Sequence, residues 1–257
     1  MRMQVDFGRT AADYATHRAA YPDRLYDRLA AAGIVPRPGG NAAVDLATGT
    51  GMIARALARR GWAVTALDIA PAMIETAAAL AKTEGIAIDA RVAPAENTGC
   101  SAQGHDLVTA FCCWHWFDHA RAALEVHRIL KPGGRLVVGA LDFHRAPGNV
   151  IELSSALIKR HNPEWTPDRL GFRLSWADAL PAEMFTIVER HDELLDISYS
   201  QEAWCGRIRA SAGVSASMAP DVVAIFDRAH ARQLRQTYGE ADLNVPHRLA
   251  YFIAQAR

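Results

Sequence analysis

The sequence predicts an α/β protein built on a mostly parallel sheet with helices on both faces. Three observations lead to this prediction. The chain has 257 residues and half of them are apolar, which is enough to bury a large core. Between residues 42 and 140, short apolar runs alternate with helical patterns, as in repeated β-α-β units. Because crossovers between parallel strands are almost always right-handed, these runs predict a single open sheet.

Local signals predict the elements of the N-terminal half. A helix is expected from Tyr21, with Pro22 in its first turn and Gly33 just beyond its end. Strands are expected where the apolar runs lie, at 42–47, 62–68, 86–92, 106–113 and 135–140. Helices are expected at 51–60, 71–84 and 119–130, and a KPGG turn at 131–134.

After Asp142 the pattern changes, and three prolines and two tryptophans punctuate a mostly helical stretch at 147–180. Two strand-like segments follow at 185–190 and 194–200. Helices are expected at 201–211 and 220–236. The apolar segment 248–256 predicts a final edge strand.

Composition excludes several classes of protein. The 28 basic and 28 acidic residues balance, whereas a nucleic-acid-binding protein normally carries a basic excess. No apolar segment is long enough for a membrane helix, and the N-terminus lacks a signal-like apolar core. The four cysteines form no CxxC pair and no zinc spacing, which predicts reduced thiols, no metal site and a soluble cytoplasmic protein.

The strongest motif is VDLATGTG at 44–51, a Gly-rich turn between a strand and a helix. Gly49 and Gly51 allow the backbone to approach a ligand, and the following helix offers free N–H groups. Asp68 ends the second strand, where a carboxylate can accept both hydroxyls of a ribose. Two alternatives stay open: an ordinary tight turn, and Asp68 as the N-cap of the helix that begins at Pro71. Both features also occur in NAD-binding proteins.

Five segments in order identify a family that the separate motifs do not. They are VDLATGTG, VTALDIAPAMI, APAEN, HDLVTAFCCWHWFDH and ALEVHRILKPGGRLVV. This set resembles the class I S-adenosylmethionine-dependent methyltransferases, and most closely the small-molecule branch of methyltransferase type 11 that includes trans-aconitate methyltransferase-like proteins. The N-terminal segment FGRTAADYATHRAAYP also resembles that branch, in which a short helical lid carries a Tyr and an Arg toward the cofactor.

The resemblance implies a Rossmann-like fold: a mostly parallel seven-stranded sheet, an antiparallel last strand and a helical lid or cap. It implies one structural domain overall. Residues 1–140 would form the S-adenosylmethionine-binding core with its lid. Residues 141–247 would form the substrate cap and the remaining core elements, and residues 248–257 the edge strand.

The resemblance also implies a set of cofactor-binding residues at the ends of the predicted strands and in the lid. They are Tyr14, Arg18, Ala47, Thr48, Gly49, Gly51, Asp68, Ile69, Met73, Ala95, Glu96 and Phe111. In this set Asp68 would bind the ribose, Ile69 and Met73 would flank the adenine, and Phe111 would lie near the sulfonium. Two positions depart from the family pattern: Ala47 replaces a glycine, and Pro94 replaces an acidic residue.

The methyl acceptor is expected beyond the fourth strand, at CWHWFDH (113–119). His115 is the candidate catalytic base, because imidazole titrates near neutral pH. The alternative is that His115 only orients the loop and the tryptophans belong to the core. The predicted substrate-binding residues are Phe7, Trp114, Trp116, Trp204 and Arg207. Arg209 lies two positions from Arg207 and cannot share its helix face, so at most one of the two is expected to face a ligand.

These features predict an enzyme that moves a methyl group from S-adenosylmethionine to an O or N atom of a small metabolite or natural product, as a monomer or homodimer. An O-acceptor is slightly favoured. One alternative is a nicotinamide-dependent oxidoreductase, which is disfavoured because GxGxxG and YxxxK spacings are absent. Another is a non-catalytic module that keeps the fold and binds the cofactor.

Overall fold

The computed structural model describes residues 10–38, 41–166 and 172–257. The strands are β1 Ala42–Leu46, β2 Ala63–Asp68, β3 Asp89–Val92, β4 His105–Phe111, β5 Leu130–Phe143, β6 Phe185–Tyr199 and β7 Leu243–Ala256. The helices are α1 Ala11–His17, α2 Asp23–Ala31, α3 Met52–Arg59, α4 Pro71–Thr83, α5 His119–Ile129, α6 Val150–His161, α7 Gln201–Arg209 and α8 Pro220–Tyr238.

The seven strands form one sheet in the order β3-β2-β1-β4-β5-β7-β6. The pairs β1–β2, β1–β4, β2–β3 and β4–β5 are parallel. The last strand runs against them: the N–H of His144, just after β5, bonds to the carbonyl of Pro246 near the start of β7. The mixed, mostly parallel Rossmann-like sheet flanked by helices confirms the predicted fold class.

The prediction that 248–256 forms an edge strand is wrong. The segment 248–256 belongs to a longer strand, β7, which lies between β5 and β6 rather than at an edge. The physical reason is its composition: residues 249–254 are all fully or almost fully buried, as in a strand that is covered on both faces.

Other boundaries also differ from the prediction. The segments at 185–190 and 194–200 belong to one strand, β6, because the polar residues between them keep the alternation of a half-exposed strand. The predicted turn at 131–134 lies inside β5 as a break in register, since His105 pairs with Leu130 but Leu107 pairs with Arg135. Strand β4 ends at Phe111, two residues early, because Cys112 adopts a left-handed backbone with φ 58°.

The chain divides into two compact units, and each long strand contributes residues to both. The first unit comprises 20–141, 172–193 and 249–257, so it holds β1 to β4 and helices α2 to α5. Its core joins side chains of the parallel strands to α5 and to the apolar segment of β7.

The second unit comprises the described residues among 1–19, 142–171 and 194–248, with helices α1 and α6 to α8. Its core is centred on aromatic residues that include Trp165, Tyr199, Trp204 and Phe226. In the described parts of the chain, no helix is both long enough and apolar enough to span a membrane.

Candidate functional site

The candidate site lies at the carboxyl ends of β1, β2 and β4. The sheet order reverses between β1 and β4, whose register is fixed by the pairing of Asp45 with Thr109. In open α/β sheets such a reversal point leaves a crevice beyond the strand ends, where ligands bind. The described residues that carry the sequence motifs converge here.

A strained turn follows β1. Ala47, Gly49 and Gly51 all have positive φ, of 47°, 57° and 78°. A left-handed backbone is easy for glycine but costs alanine energy, so Ala47 is held by its surroundings. The N–H of Thr48 bonds to the Leu67 carbonyl of the neighbouring strand at 2.8 Å.

Asp45 holds this turn from within the sheet, and sequence analysis did not single it out. Its carboxylate accepts hydrogen bonds from the hydroxyls of Thr48 and Thr109, at 2.6 and 2.7 Å. The residue is only 2% exposed, and this burial raises its pKa to about 6. The sequence did contain a signal for this role, because Asp45 is a carboxylate inside an otherwise apolar strand.

Arg55 holds the other side of the same turn. Its guanidinium donates to the carbonyl of Thr50 and, at 3.0 Å, to the carboxylate of Glu84. A Cβ added at Gly51 would meet the Ala77 Cβ at 3.0 Å and the Arg55 Nη1 at 3.3 Å. Gly51 is therefore required by close packing as well as by its positive φ.

Asp68 links the two neighbouring turns. Its two carboxylate oxygens accept the backbone N–H groups of Gly49 and Ala70, each at 2.9 Å. Burial raises the pKa of the carboxyl, and the hydrogen bonds from the backbone oppose that effect. Ala70 is the N-cap residue of α4, so Asp68 bonds to the residue before the helix and is not itself the N-cap.

The predicted adenine-side residues fall into two groups. Ile69 is 71% exposed beside Asp68, so it is available to a ligand. Met73 is 3% exposed and Ala95 is 6% exposed, which leaves little surface for contact. The α4 helix turns the Met73 side chain toward the core, and its contact with the adenine stays a prediction. The carboxylate of Glu96 accepts the backbone N–H of Asp118 at 2.8 Å and so ties this loop to the start of α5.

The end of β4 is the second strained point. Phe111 is buried, and its ring meets the edge of the Tyr21 ring with centroids 5.0 Å apart. Cys112 has a left-handed backbone, and its Sγ lies 3.2 Å from the Tyr21 hydroxyl. Its N–H donates to the Gly139 carbonyl at 2.8 Å. Sequence analysis assigned no role to Tyr21 at this position.

His115 lies on a short 3-10 turn that follows β4, between Trp114 and Trp116. Burial lowers its pKa to about 4, with a smaller contribution from His119. The imidazole is therefore neutral at pH 7 and able to accept a proton, although as a weak base. Trp116 is 44% exposed and Trp114 is 2% exposed. The Trp114 ring packs in the core, and its contact with a substrate stays a prediction.

Trp204, Arg207 and Arg18 are among the predicted residues that belong to the second unit. Trp204 is fully buried and its indole N–H donates to Ser154 at 3.0 Å, and its contact with a substrate stays a prediction. The Arg207 guanidinium lies 4.7 Å from the centroid of the Phe143 ring. Burial lowers the pKa of His247 to about 4, and the positive charges of Arg207 and Arg18 also lower it.

The remaining predicted residues add little to the described site. Arg209 forms ion pairs with Asp13 and Asp227, so its guanidinium connects α7 to α1 and α8 and has a structural role. Tyr14 lies on α1, and Phe7 lies outside the described residues. Among residues with described positions, no group of three or more His, Cys, Asp or Glu side chains is arranged to hold a metal ion.

Known proteins resemble the chain in sequence. A family model described as a methyltransferase domain matches residues 44–138. An uncharacterized methyltransferase of Mycobacterium tuberculosis H37Rv is 33% identical over 190 residues, which cover 74% of this chain and 69% of that protein. A ubiquinone biosynthesis O-methyltransferase of Xanthomonas campestris pv. campestris is 29% identical over 200 residues, which cover 75% of this chain and 78% of that protein.

Solved structures share the fold. A protein of Anaeromyxobacter dehalogenans described as a type II methyltransferase aligns with a TM-score of 0.61 at 24% identity. The alignment covers 93% of this chain and 97% of that one. At this identity the likeness concerns the fold alone.

Proposed function

The chain belongs to the class I S-adenosylmethionine-dependent methyltransferases, and from this premise we propose that it moves the methyl group of S-adenosylmethionine to an O or N atom of a small molecule. The observation that carries the proposal is the bridge that Asp68 makes between the turns after β1 and β2. That bridge leaves a carboxylate oriented at the strand ends, next to an exposed Ile69.

The residues present fit the cofactor. A carboxylate has about four acceptor positions, so one that binds two N–H groups keeps capacity for the hydroxyls of a ribose. The turn at Gly49 and Gly51 brings backbone close to the crevice, and Ile69 offers an apolar surface to the adenine. When bound, S-adenosylmethionine supplies an activated methyl group, and the protein's contribution is alignment, exclusion of water and proton removal.

Thr48 and Ala47 would complete the cradle for the methionine and ribose. The Thr48 hydroxyl donates to Asp45, so its oxygen keeps acceptor capacity. Glu96 has one carboxylate oxygen bonded to the Asp118 N–H, which supports a role in ordering the adenine-side loop. In the N-terminal lid, Tyr14 and Arg18 stay proposed contacts of the amino-acid end.

On the acceptor side we assign His115 as the proton acceptor and Trp116 as a substrate-binding residue. Arg207, which belongs to the second unit, stays a predicted substrate-binding residue. Because His115 is neutral at pH 7, it accepts a proton from the attacking hydroxyl or N–H as the new bond to the methyl carbon forms. An oxygen acceptor is favoured, and the similarity to ubiquinone biosynthesis O-methyltransferases supports that choice.

The test measures binding of S-adenosylhomocysteine by isothermal titration calorimetry. The wild-type chain is expected to bind it and not to bind NAD. Asp68→Ala should weaken binding by about 1–3 kcal/mol, the contribution of charge-assisted hydrogen bonds. Asp68→Asn, which keeps the size of the side chain, should lose a similar part because the charge is absent.

Asp89→Ala is the matched control, since Asp89 is an exposed carboxylate on the next strand and pairs with Arg91. It should leave the affinity unchanged. Equal binding by the Asp68 variants and the wild-type chain, or preferential binding of NAD, would refute the assignment of the cofactor site.

A further inference from the structure

An aromatic surface lies just beyond β4, and we name it the aromatic platform: His115, Trp116 and Trp176. The His115 ring centroid is 5.0 Å from that of Trp116 and 6.2 Å from that of Trp176. The His115 and Trp176 rings stack on each other, with an angle of 29° between their planes. Sequence analysis gave Trp176 no role in the site, since nothing local connects it to His115, 61 positions earlier in the chain.

Buried neighbours hold the platform in place. Trp176 meets the edge of the buried Phe172 ring at 5.5 Å and the His119 ring at 5.5 Å. His119 in turn donates its Nε2–H to the Trp114 carbonyl at 3.0 Å and stacks on the Trp114 ring. The rings are therefore positioned before any ligand arrives, which lowers the entropy cost of binding.

The outer side of the platform remains accessible. Trp116 is 44% exposed, and His115 and Trp176 are partly exposed beside it. An exposed indole continuous with two further rings is a larger apolar surface than isolated surface residues provide. It lies directly after β4, on the side of the sheet crevice where the acceptor is proposed to bind.

The surroundings favour a neutral ring over a charged ligand. Burial and, to a smaller extent, the neighbouring His119 keep the His115 imidazole neutral at pH 7, so this ring supplies no charge to bind an ionic ligand. A cation-binding aromatic cage normally surrounds the charge with ring faces, whereas two of these rings stack on each other. The ring centroids of aromatic pairs usually lie about 4.5–7 Å apart, and a flat ligand ring would pack against the platform at such a distance.

We propose that the methyl acceptor is a planar aromatic molecule with a ring hydroxyl, and that its ring packs against the aromatic platform. This inference rests on the proposed function and names the substrate class for the same site. Trp116 and Trp176 are then specificity-determining residues, and His115 lies within the surface that the ring covers.

The chemistry is consistent with a phenol. Its hydroxyl has a pKa of about 10, far below that of an aliphatic alcohol, and it becomes more acidic as its oxygen bonds to the methyl carbon, which is when a weak base can accept the proton. His115 takes up that proton while the oxygen forms its bond to the methyl carbon and the carbon–sulfur bond breaks. The donor's positive charge is lost as its sulfur becomes a neutral thioether, and the proton on His115 passes to water.

The test compares catechol with cyclohexane-1,2-diol, which has the same two hydroxyls but no aromatic ring. Saturation-transfer NMR titrations use the full chain, with and without S-adenosylhomocysteine. Catechol should bind with a Kd of no more than about 10 mM, and the Kd of the diol should be at least about threefold higher. Trp116→Leu should weaken catechol binding by about two- to tenfold, the contribution of one aromatic pair, and Trp116→Phe should restore most of it.

Leu124→Ala removes another exposed apolar side chain of the same unit and should change nothing. Affinity for S-adenosylhomocysteine, measured on the same variants, should stay at the wild-type value, so failure of the cofactor site is separate from failure of the platform. Undetectable catechol binding, equal binding of the diol, tighter binding of choline, or an unchanged affinity in Trp116→Leu would each overturn the inference.

Discussion

Single residues at the strand ends carry conformational strain. Ala47 directly follows β1 and Cys112 directly follows β4, and both are non-glycine residues in the left-handed region. The strands are neighbours at the point where the sheet order reverses, so the two strained residues flank the candidate site. Strain of this kind persists where surrounding contacts hold it, and it is concentrated at functional sites. The Asp45 and Tyr21 contacts supply that support here.

Replacing Ala47 by glycine should stabilise the protein. Removing the Cβ relieves about 1–2 kcal/mol of left-handed strain, and the more flexible unfolded chain offsets about 0.4–1 kcal/mol of the gain. We expect the free energy of unfolding of Ala47→Gly to rise by about 0.5–1 kcal/mol, measured by urea denaturation.

The matched control is Ala78→Gly, at an exposed position within α4. There the same substitution should lower the free energy of unfolding by about 1 kcal/mol, because glycine is a poor helix former. A destabilised Ala47→Gly variant would mean that the turn is not strained.

At the scale of one element, β5 must pass very close to its neighbours. A Cβ at Gly139 would lie 2.7 Å from the Tyr251 Cβ, 2.8 Å from the Phe111 Cε1 and 2.9 Å from the Ala250 carbonyl oxygen. Two of these atoms are rigidly attached to the β7 backbone and cannot move aside. The glycine in the middle of a strand therefore marks a close approach between elements.

Gly139→Ala should lower the free energy of unfolding by about 2–3 kcal/mol through overpacking of the sheet. Gly85→Ala is a useful comparison, because a Cβ there would meet no atom within 4 Å and only the positive φ opposes it. That variant should cost about 1 kcal/mol. Chemical denaturation of both variants checks the difference, and a Gly139→Ala cost below that of Gly85→Ala would contradict the packing.

At the scale of the whole molecule, three histidines make folding sensitive to acid. Burial lowers the pKa of His115, His230 and His247 to about 4 each. An unfolded histidine titrates near 6.5, so between pH 6.5 and 4 the unfolded chain binds more protons than the folded one. Stability is therefore fully present above about pH 6.5 and is lost as the pH falls toward 4. Asp45 and Asp68 oppose this trend, because burial raises the pKa of both carboxyls, whereas His105, whose pKa burial lowers, adds a fourth imidazole to the three.

We expect the melting temperature to fall steadily between pH 6.5 and 4.5. At pH 5 unfolding should take up protons, which calorimetry in buffers of different ionisation enthalpy detects. A melting temperature that is constant or rises over this range would contradict the burial of the neutral imidazoles.

Much of the fold follows from local signals in the sequence. The apolar runs and the Gly-rich turn predicted β1, β2 and α3 to within two residues, because burial and backbone freedom impose these patterns directly. The predicted boundaries were wrong where contacts with other elements decided them. Strand β4 ends at Phe111, just before the strained Cys112, and the polar residues in the middle of β6 do not interrupt that strand. The burial of Met73, Trp114 and Trp204 could not be predicted for the same reason, since it depends on packing between distant segments.

The amino-acid sequence by itself determined the family, the fold class and the position of the acidic residue at the end of β2. These properties depend on short ordered motifs and on periodicity, which are local. Only the tertiary structure decided that β7 is an interior strand, that Asp68 bridges two turns, and that Trp176 lies beside His115. Contacts between residues far apart in the chain arise when the sheet and its helices pack together, and no local pattern encodes them.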